Sequence, residues 1–443
     1  MKKLLSYILV FLITLSFVFT DTSSTVYGAK DWPKGPEVFA ETAVLLDAST
    51  GAVLYDKKCH QKMYPASITK IMTALLSIEN CNLNDKVTFS ENAVNGLNYF
   101  EDANIGCQVG EEMTVKDCLY GLMLSSANEV ATALGEHVAG DTAKFADMMN
   151  ERAKQAGATD THFANANGLH DKNHYVTAYD MAMITRAAAA HDVFNQIVNT
   201  VSYTIPKNNK RKKTFSAQQR HKMVSPYNSV YYEGIIGGKT GYTDQAGTTL
   251  VTYAQRNGMT LISVVLHSNG ENVYKDTTAL LDYGFKNFEQ INAASNLGSV
   301  SDNDALLPSP FNNMLTTLEF DPNATVIVPK GVTFADLAST VSFQQTEESF
   351  ASINYTYLDH PIGSVAVKYV NKKAEDVKTT NDKTSTVEQT TAAKQSPAKS
   401  FKIPKIMVPL LCVAFVIVIL LILIIQQKKK MNRIRASKRQ RNR

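Results

Sequence analysis

Twenty consecutive residues, Ile406 to Ile425, carry no charge. That is about the length an α-helix needs to cross the hydrocarbon core of a bilayer. Behind the run come Lys428, Lys429, Lys430, Arg433, Arg435, Lys438, Arg439, Arg441 and Arg443, with no acid among them. The other flank carries Lys394, Lys399, Lys402 and Lys405. A buried core helix would not end in nine uncompensated positive charges. The asymmetry predicts a membrane helix at 406–425, a basic cytosolic tail at 426–443, and everything before residue 406 outside the cell membrane. Pro409 is tolerated in such a helix.

The first residues point the same way. Lys2 and Lys3 precede an almost wholly apolar stretch, Leu4 to Phe19, and small residues follow at Gly28 and Ala29. This pattern predicts a secretory signal peptide over 1–29, with an uncleaved anchor as the alternative. The ends also explain the charge. The chain has 45 basic and 41 acidic residues, a net +4. Between Lys30 and Gln427, however, acids outnumber bases by six. The basic balance belongs to the tail, which suits anionic lipid beneath the membrane and not nucleic acid.

Of the five cysteines, Cys412 lies in the apolar run. Cys59, Cys81, Cys107 and Cys118 form no Cys-x-x-Cys pattern and are read as buried small residues or free thiols, with pairing left open.

Periodicity organises the outer part into a larger domain over 37–290 and a small β-rich domain over 296–370. The runs around Ala48-Ser49-Thr50-Gly51 predict a hairpin. Apolar residues at 68, 71, 72, 75 and 78 keep helical spacing. Thr114 with Asp117 predicts a helix start before Val115, and Thr177 with Asp180 another, ending near Ala190. An alanine-rich helix should run to Val138, and Asp141 to Gln155 should form one closed by Gly157. Gly247 to Tyr253 and Met259 to His267 read as paired strands, and Ala279 to Phe288 as a closing helix. Residues 207 to 222 are rich in lysine and arginine without interleaved aromatics, which predicts a solvated loop or hairpin. Residues 371–405 lack large apolar groups and should form a flexible linker.

Three short motifs stand in order: Ser67-Ile68-Thr69-Lys70, Ser126-Ala127-Asn128 and Lys239-Thr240-Gly241. A serine and a lysine three apart share one helix face, so the amine can sit beside the hydroxyl. A partly desolvated lysine is then a base able to activate the serine as a nucleophile. Each motif is weak alone. Ser396 and Lys399 have the same spacing inside the linker. Ser90-Glu91-Asn92 imitates the second motif, but no helix is expected to open after it. Order and context make the combination specific.

On these motifs, and on stretches such as "YPASITKIMTALL", "LMLSSANEVATAL" and "GGKTGYTDQAGTTL", residues 37 to 290 resemble the serine D-alanyl-D-alanine carboxypeptidases, the low-molecular-mass penicillin-binding proteins. The resemblance implies an α/β fold of the β-lactamase/transpeptidase type, an antiparallel sheet flanked by helices, followed by a β-rich domain. It implies a substrate, a peptidoglycan stem peptide ending in D-Ala-D-Ala, inhibition by β-lactams, and no cofactor. Ser67 would be the nucleophile, Lys70 its base and Ser126 a proton relay. Asn128 would bind the substrate amide or fix Lys70. Lys239 and Thr240 would hold the substrate carboxylate, and Gly241 would let the strand pass close to the substrate. The backbone N–H groups of Ser67 and Tyr242 would form the oxyanion hole.

Two departures from the family stand out. Tyr242 replaces a frequent histidine, without touching the backbone donor. No arginine lies between Leu266 and Phe285, where one can help bind the carboxylate, and Lys275 is not taken as its substitute. His170 and His174 lack a third partner at metal-site spacing and are read as part of a loop bordering the site. The rival readings are a β-lactamase, which lacks a Glu-x-x-Leu-Asn stretch here, and an inactive wall-peptide-binding protein of the same fold.

Overall fold

The computed structural model describes residues 31–297, 317–343, 349 and 351–370. The expected signal peptide, linker, membrane helix and tail lie outside the described residues. Among the described residues no helix is long and apolar enough to cross a membrane.

Five strands form one antiparallel sheet in the order Val53–Lys57, Thr42–Asp47, Met259–Ser268, Gly247–Arg256, Ile235–Thr243. The interior Thr42–Asp47 strand is buried at all six positions, because both sheet faces are covered. Alternation divides it between two cores. Val44 and Leu46 face a helical layer containing Ile71, Leu75 and Met181. Ala43 and Leu45 face a second core with Leu280, Leu281 and Tyr283 of the closing helix.

That closing helix runs Asn272–Asn287, starting seven residues before the expected Ala279. Its polar first half hides the periodicity. Asp276, buried there, accepts hydrogen bonds from the backbone N–H groups of Phe39 and Ala40 and fastens the chain just before the Thr42–Asp47 strand.

At the centre of the helical layer is Lys70–Asn80, whose first eight residues are all buried. A helix apolar nearly all round belongs inside a core. A short 3-10 turn, Ala66–Thr69, leads into it. Thr114 and Thr177 cap the helices Val115–Leu124 and Ala178–Ala189 as expected, and Asp141 caps Thr142–Gln155, each accepting from a backbone N–H three residues on. One expectation fails: Ser90 does open a helix, Glu91–Asn95, accepting from the Ala93 amide. The short polar run lacks the periodicity of a longer helix, but the cap chemistry was present. Asp192–Asn199 is a helix, and the strands Lys86–Thr88 and Glu112–Thr114 form a pair; neither was expected.

The basic stretch forms the hairpin Ser202–Ile205 with Phe215–Gln218. It is not wholly solvated. Arg211 folds inward onto the buried carboxylate of Glu111 at 3.0 Å and donates to the Ile105 carbonyl at 3.1 Å.

Farther along, Phe288–Asn292 pairs with Thr325–Pro329, and a four-stranded antiparallel sheet has the order Thr317–Phe320, His360–Val370, Ala351–Tyr357, Ala338–Phe343. Thr325–Pro329 joins two cores by its period of two. Val326 and Val328 enter the small β core, and Ile327 enters the core beneath the main sheet. Trp32 packs against both and stacks on His360 at 3.8 Å between ring centroids.

Candidate active site

Ser67, Lys70, Ser126, Asn128 and Lys239 come together at the free edge of the main sheet. A cleft of about 990 Å³ there is lined by Ser67, Ser126, Asn128, Thr240, Gly241 and Tyr242, with Arg220 and Asp102 on its walls. Ile235–Thr243 is the edge strand, so its outer backbone groups face the cleft and not a neighbouring strand.

The Ser67 turn is held in an unusual backbone state. Ala66 has φ +52°. This left-handed conformation is costly for a residue with a Cβ and is found where the surroundings over-determine it. Ser67 itself is half-buried, reachable from the cleft. The helix then begins at Lys70, which places the lysine one turn below the serine.

Lys70 is fully buried, yet its Nζ has three partners. It lies 2.6 Å from Asn128 Oδ1, 2.5 Å from the Asn167 carbonyl oxygen and 3.0 Å from Ser67 Oγ. A neutral amine has two hydrogens and one lone pair. The two oxygens that can only accept, on Asn128 and Asn167, take both hydrogens. The lone pair is then left for the Ser67 hydroxyl. Burial pulls the Lys70 pKa well below its usual value, and the charge of Lys239 pulls it further. The contacts accommodate the neutral amine, and it is the lowered pKa that favours this basic form. The side-chain oxygen of Asn128 is the one turned to Lys70.

The second motif sits in the link between the helices Val115–Leu124 and Asn128–Ala139. Ser126 takes a left-handed φ of +62° there and is buried. Its hydroxyl accepts from Lys239 Nζ at 3.1 Å, and the same ammonium donates to the Thr240 carbonyl at 2.9 Å. Burial, and then the charge of Arg220, lowers the Lys239 pKa to about 7.

Gly241 runs beside the nucleophile's own turn. A Cβ at this position would lie 2.9 Å from the Ser67 amide nitrogen and 3.0 Å from the Pro65 carbonyl oxygen. Glycine is required for the strand to pass the Ser67 turn, a packing reason beyond the substrate clearance expected from the motif. Tyr242 is 66 % exposed at the cleft, and its hydroxyl donates to Asp244 Oδ1 at 3.0 Å.

The sequence reading missed two features. Arg220 supplies a cation on the cleft wall; its only local signal was a place at the end of the basic stretch. Lys275 instead pairs with Glu271 on an exposed helix face. The Asn167 carbonyl is a backbone group, which no side-chain motif can mark. His170 is exposed on the cleft wall, and His174 is buried with both ring nitrogens engaged. Among the described residues, no three His, Cys, Asp or Glu side chains gather as a metal site would need.

Residues 29–270 match the family model described as D-alanyl-D-alanine carboxypeptidase. The chain is 32 % identical over 297 residues to the D-alanyl-D-alanine carboxypeptidase DacF of Bacillus subtilis, covering 65 % of this chain and 72 % of that one. It is 33 % identical over 267 residues to DacA of Haemophilus influenzae, covering 57 % of this chain and 64 % of that one. Among solved structures it is similar to penicillin-binding protein 5 from Haemophilus influenzae, with a TM-score of 0.59 and 25 % identity over 76 % of this chain and 98 % of that one. A D-alanyl-D-alanine carboxypeptidase from Mycobacterium tuberculosis matches with a TM-score of 0.51 and 30 % identity, over 59 % of this chain and 95 % of that one.

Proposed function

Because the chain belongs to the D-alanyl-D-alanine carboxypeptidase family of serine-type enzymes, we propose that it removes the terminal D-alanine from peptidoglycan stem peptides through an acyl-enzyme on Ser67. The observation that carries this reading is the Lys70 amine, fully buried, 3.0 Å from Ser67 Oγ and in contact with two further oxygens that can only accept.

Lys70 takes the Ser67 proton as Oγ attacks the carbonyl between the two D-alanines. The backbone N–H groups of Ser67 and Tyr242 stabilise the negative charge on the carbonyl oxygen. Ser126, in contact with Lys239, passes a proton to the leaving amine. The free carboxylate of the last D-alanine is held by Thr240 and by the positive field of Lys239 and Arg220. Water then hydrolyses the ester, releasing the shortened peptide. A β-lactam enters the same sequence as a cyclic mimic of the scissile amide, and its adduct on Ser67 is long-lived. The enzyme works outside the cell membrane, where its wall substrate is. The predicted export signal and C-terminal helix support this placement.

The test is D-alanine release from a peptide ending in D-Ala-D-Ala. The wild-type protein should release it and Ser67→Ala should not. Equal release by both, or none by either, would sink the reading. Rapid turnover of penicillin would point to a β-lactamase instead.

A further inference from the structure

We propose that His174 is a positioning residue for the Ser67–Lys70 pair: its neutral ring ties the turn that carries Ser67 to the loop that gives Lys70 an acceptor. This rests on the role assigned to Ser67 and Lys70 above.

His174 is buried, and each hydrogen bond fixes the next. Its Nδ1 lies 3.1 Å from the Ala164 amide nitrogen and 3.3 Å from that of Asn165. Backbone N–H groups only donate, so Nδ1 accepts and the ring hydrogen is on Nε2. Nε2 is 2.8 Å from Thr69 Oγ1 and donates to it. Thr69 spends its own hydroxyl hydrogen on the Ala66 carbonyl, at 2.8 Å. Ala66 is the left-handed residue directly before the nucleophile. The chain from His174 therefore holds the costly turn in place.

The other side of the ring holds the loop. Residues 164 and 165 lead directly to Asn167, whose carbonyl accepts from Lys70. Asn165 Oδ1 accepts from the Gly168 amide at 2.8 Å, and Thr73 Oγ1 donates to the Ala166 carbonyl at 2.6 Å. Gly168 itself fits against the Ala66 carbonyl so closely that any Cβ would overlap it. One imidazole thus spaces both partners of the nucleophile–base contact.

Asp171, His162, His170 and Lys70 are the titratable groups around the ring, and burial outweighs them, holding the imidazole pKa down to about 4. The ring stays neutral wherever the enzyme works. A proton on Nδ1 would face two N–H donors and break the chain.

Thr69→Val tests this without opening a cavity, since it removes the hydroxyl at nearly constant volume. We expect kcat and the rate of acylation by penicillin to fall about 10- to 100-fold. KM for the D-Ala-D-Ala peptide should hardly change, because the opposite wall grips the carboxylate. Thr69→Ser should restore most of the rate. His174→Asn keeps an oxygen near the Nδ1 position but loses the Nε2 arm, and should show the same kcat-selective loss. Thermal melting and the fraction of protein that can be acylated are measured beside each rate. A wild-type kcat in Thr69→Val overturns the proposal. So does a loss confined to melting temperature and acylable fraction, with the remaining protein reacting at the wild-type rate. If the wild-type protein itself neither releases D-alanine nor takes up penicillin, the Ser67 reading falls, and this one with it.

Discussion

Gly241 and Ser67 are backbone neighbours across the cleft floor: a Cβ on the glycine would stand 2.9 Å from the serine's amide nitrogen. The third motif therefore shapes the first. Gly241→Ala should push the Ser67 turn or the edge strand out of place, because the obstructing atoms include backbone. We expect D-alanine release to fall about 100-fold and stability to drop by about 1–3 kcal/mol. Steady-state kinetics and thermal melting check both.

Rate should depend on pH as a bell. Lys70 must be neutral to act, so activity rises as pH climbs through its lowered pKa. Lys239 acts protonated, so activity falls as pH passes about 7. The charge of Arg220 helps lower Lys239. Arg220→Leu should therefore move the alkaline limb to higher pH. A kcat/KM profile from pH 4 to 10 reads this, and an unmoved limb would remove Lys239 from the proton relay.

Arg220→Leu should also weaken binding. A hydrogen bond to a charged carboxylate contributes about 1.5–3 kcal/mol, equal to roughly 10- to 100-fold in kcat/KM. The loss should shrink for a substrate whose terminal carboxylate is amidated. Arg220→Lys should recover only part, since the planar fork is lost. Parallel kinetics on the free acid and the amide separate the cases.

Lys239 costs stability in exchange for function. Its folded pKa is about 7 against 10.5 for an ordinary lysine, so between those values the unfolded chain binds more protons than the native one. Stability therefore rises with pH across that window, and the full cost is present below pH 7. Lys239→Met should be inactive yet more stable at pH 6 by roughly 1–3 kcal/mol. The gap should close toward pH 10.5. Urea unfolding at several pH values measures it.

Arg211→Ala should destabilise the protein by about 3 kcal/mol, because the buried Glu111 carboxylate loses its counter-charge and keeps only its neutral donors, Asn208 and the Gln108 amide. Arg211→Ala with Glu111→Gln should recover part of the loss. Melting of the single and double variants tests the pair.

Much of this was legible in the sequence because it is local. An apolar run beside a glycine-bearing turn at Ala43–Asp47 and a period near 3.6 in Lys70–Asn80 are written in neighbouring residues. So are caps such as Thr114 with Asp117, and the order of the three motifs. The short helix after Ser90 was misjudged, since five residues are too few to show periodicity. The first half of the Asn272–Asn287 helix was missed because its residues are polar.

The sequence by itself determined which side chains were available for chemistry: a serine with a lysine one turn away, a second serine and asparagine, and a lysine ahead of a glycine-bearing strand. Tertiary structure decided what state they are in. The Lys70 amine meets Asn128 and the Asn167 carbonyl, which are 58 and 97 residues away in sequence. Its lowered pKa comes from burial and from Lys239. Arg220 joins the cleft only because the loop after the Phe215–Gln218 strand passes beside it. Desolvation and Coulomb terms depend on distance in space, and distance in space between remote residues is set only once the chain has packed.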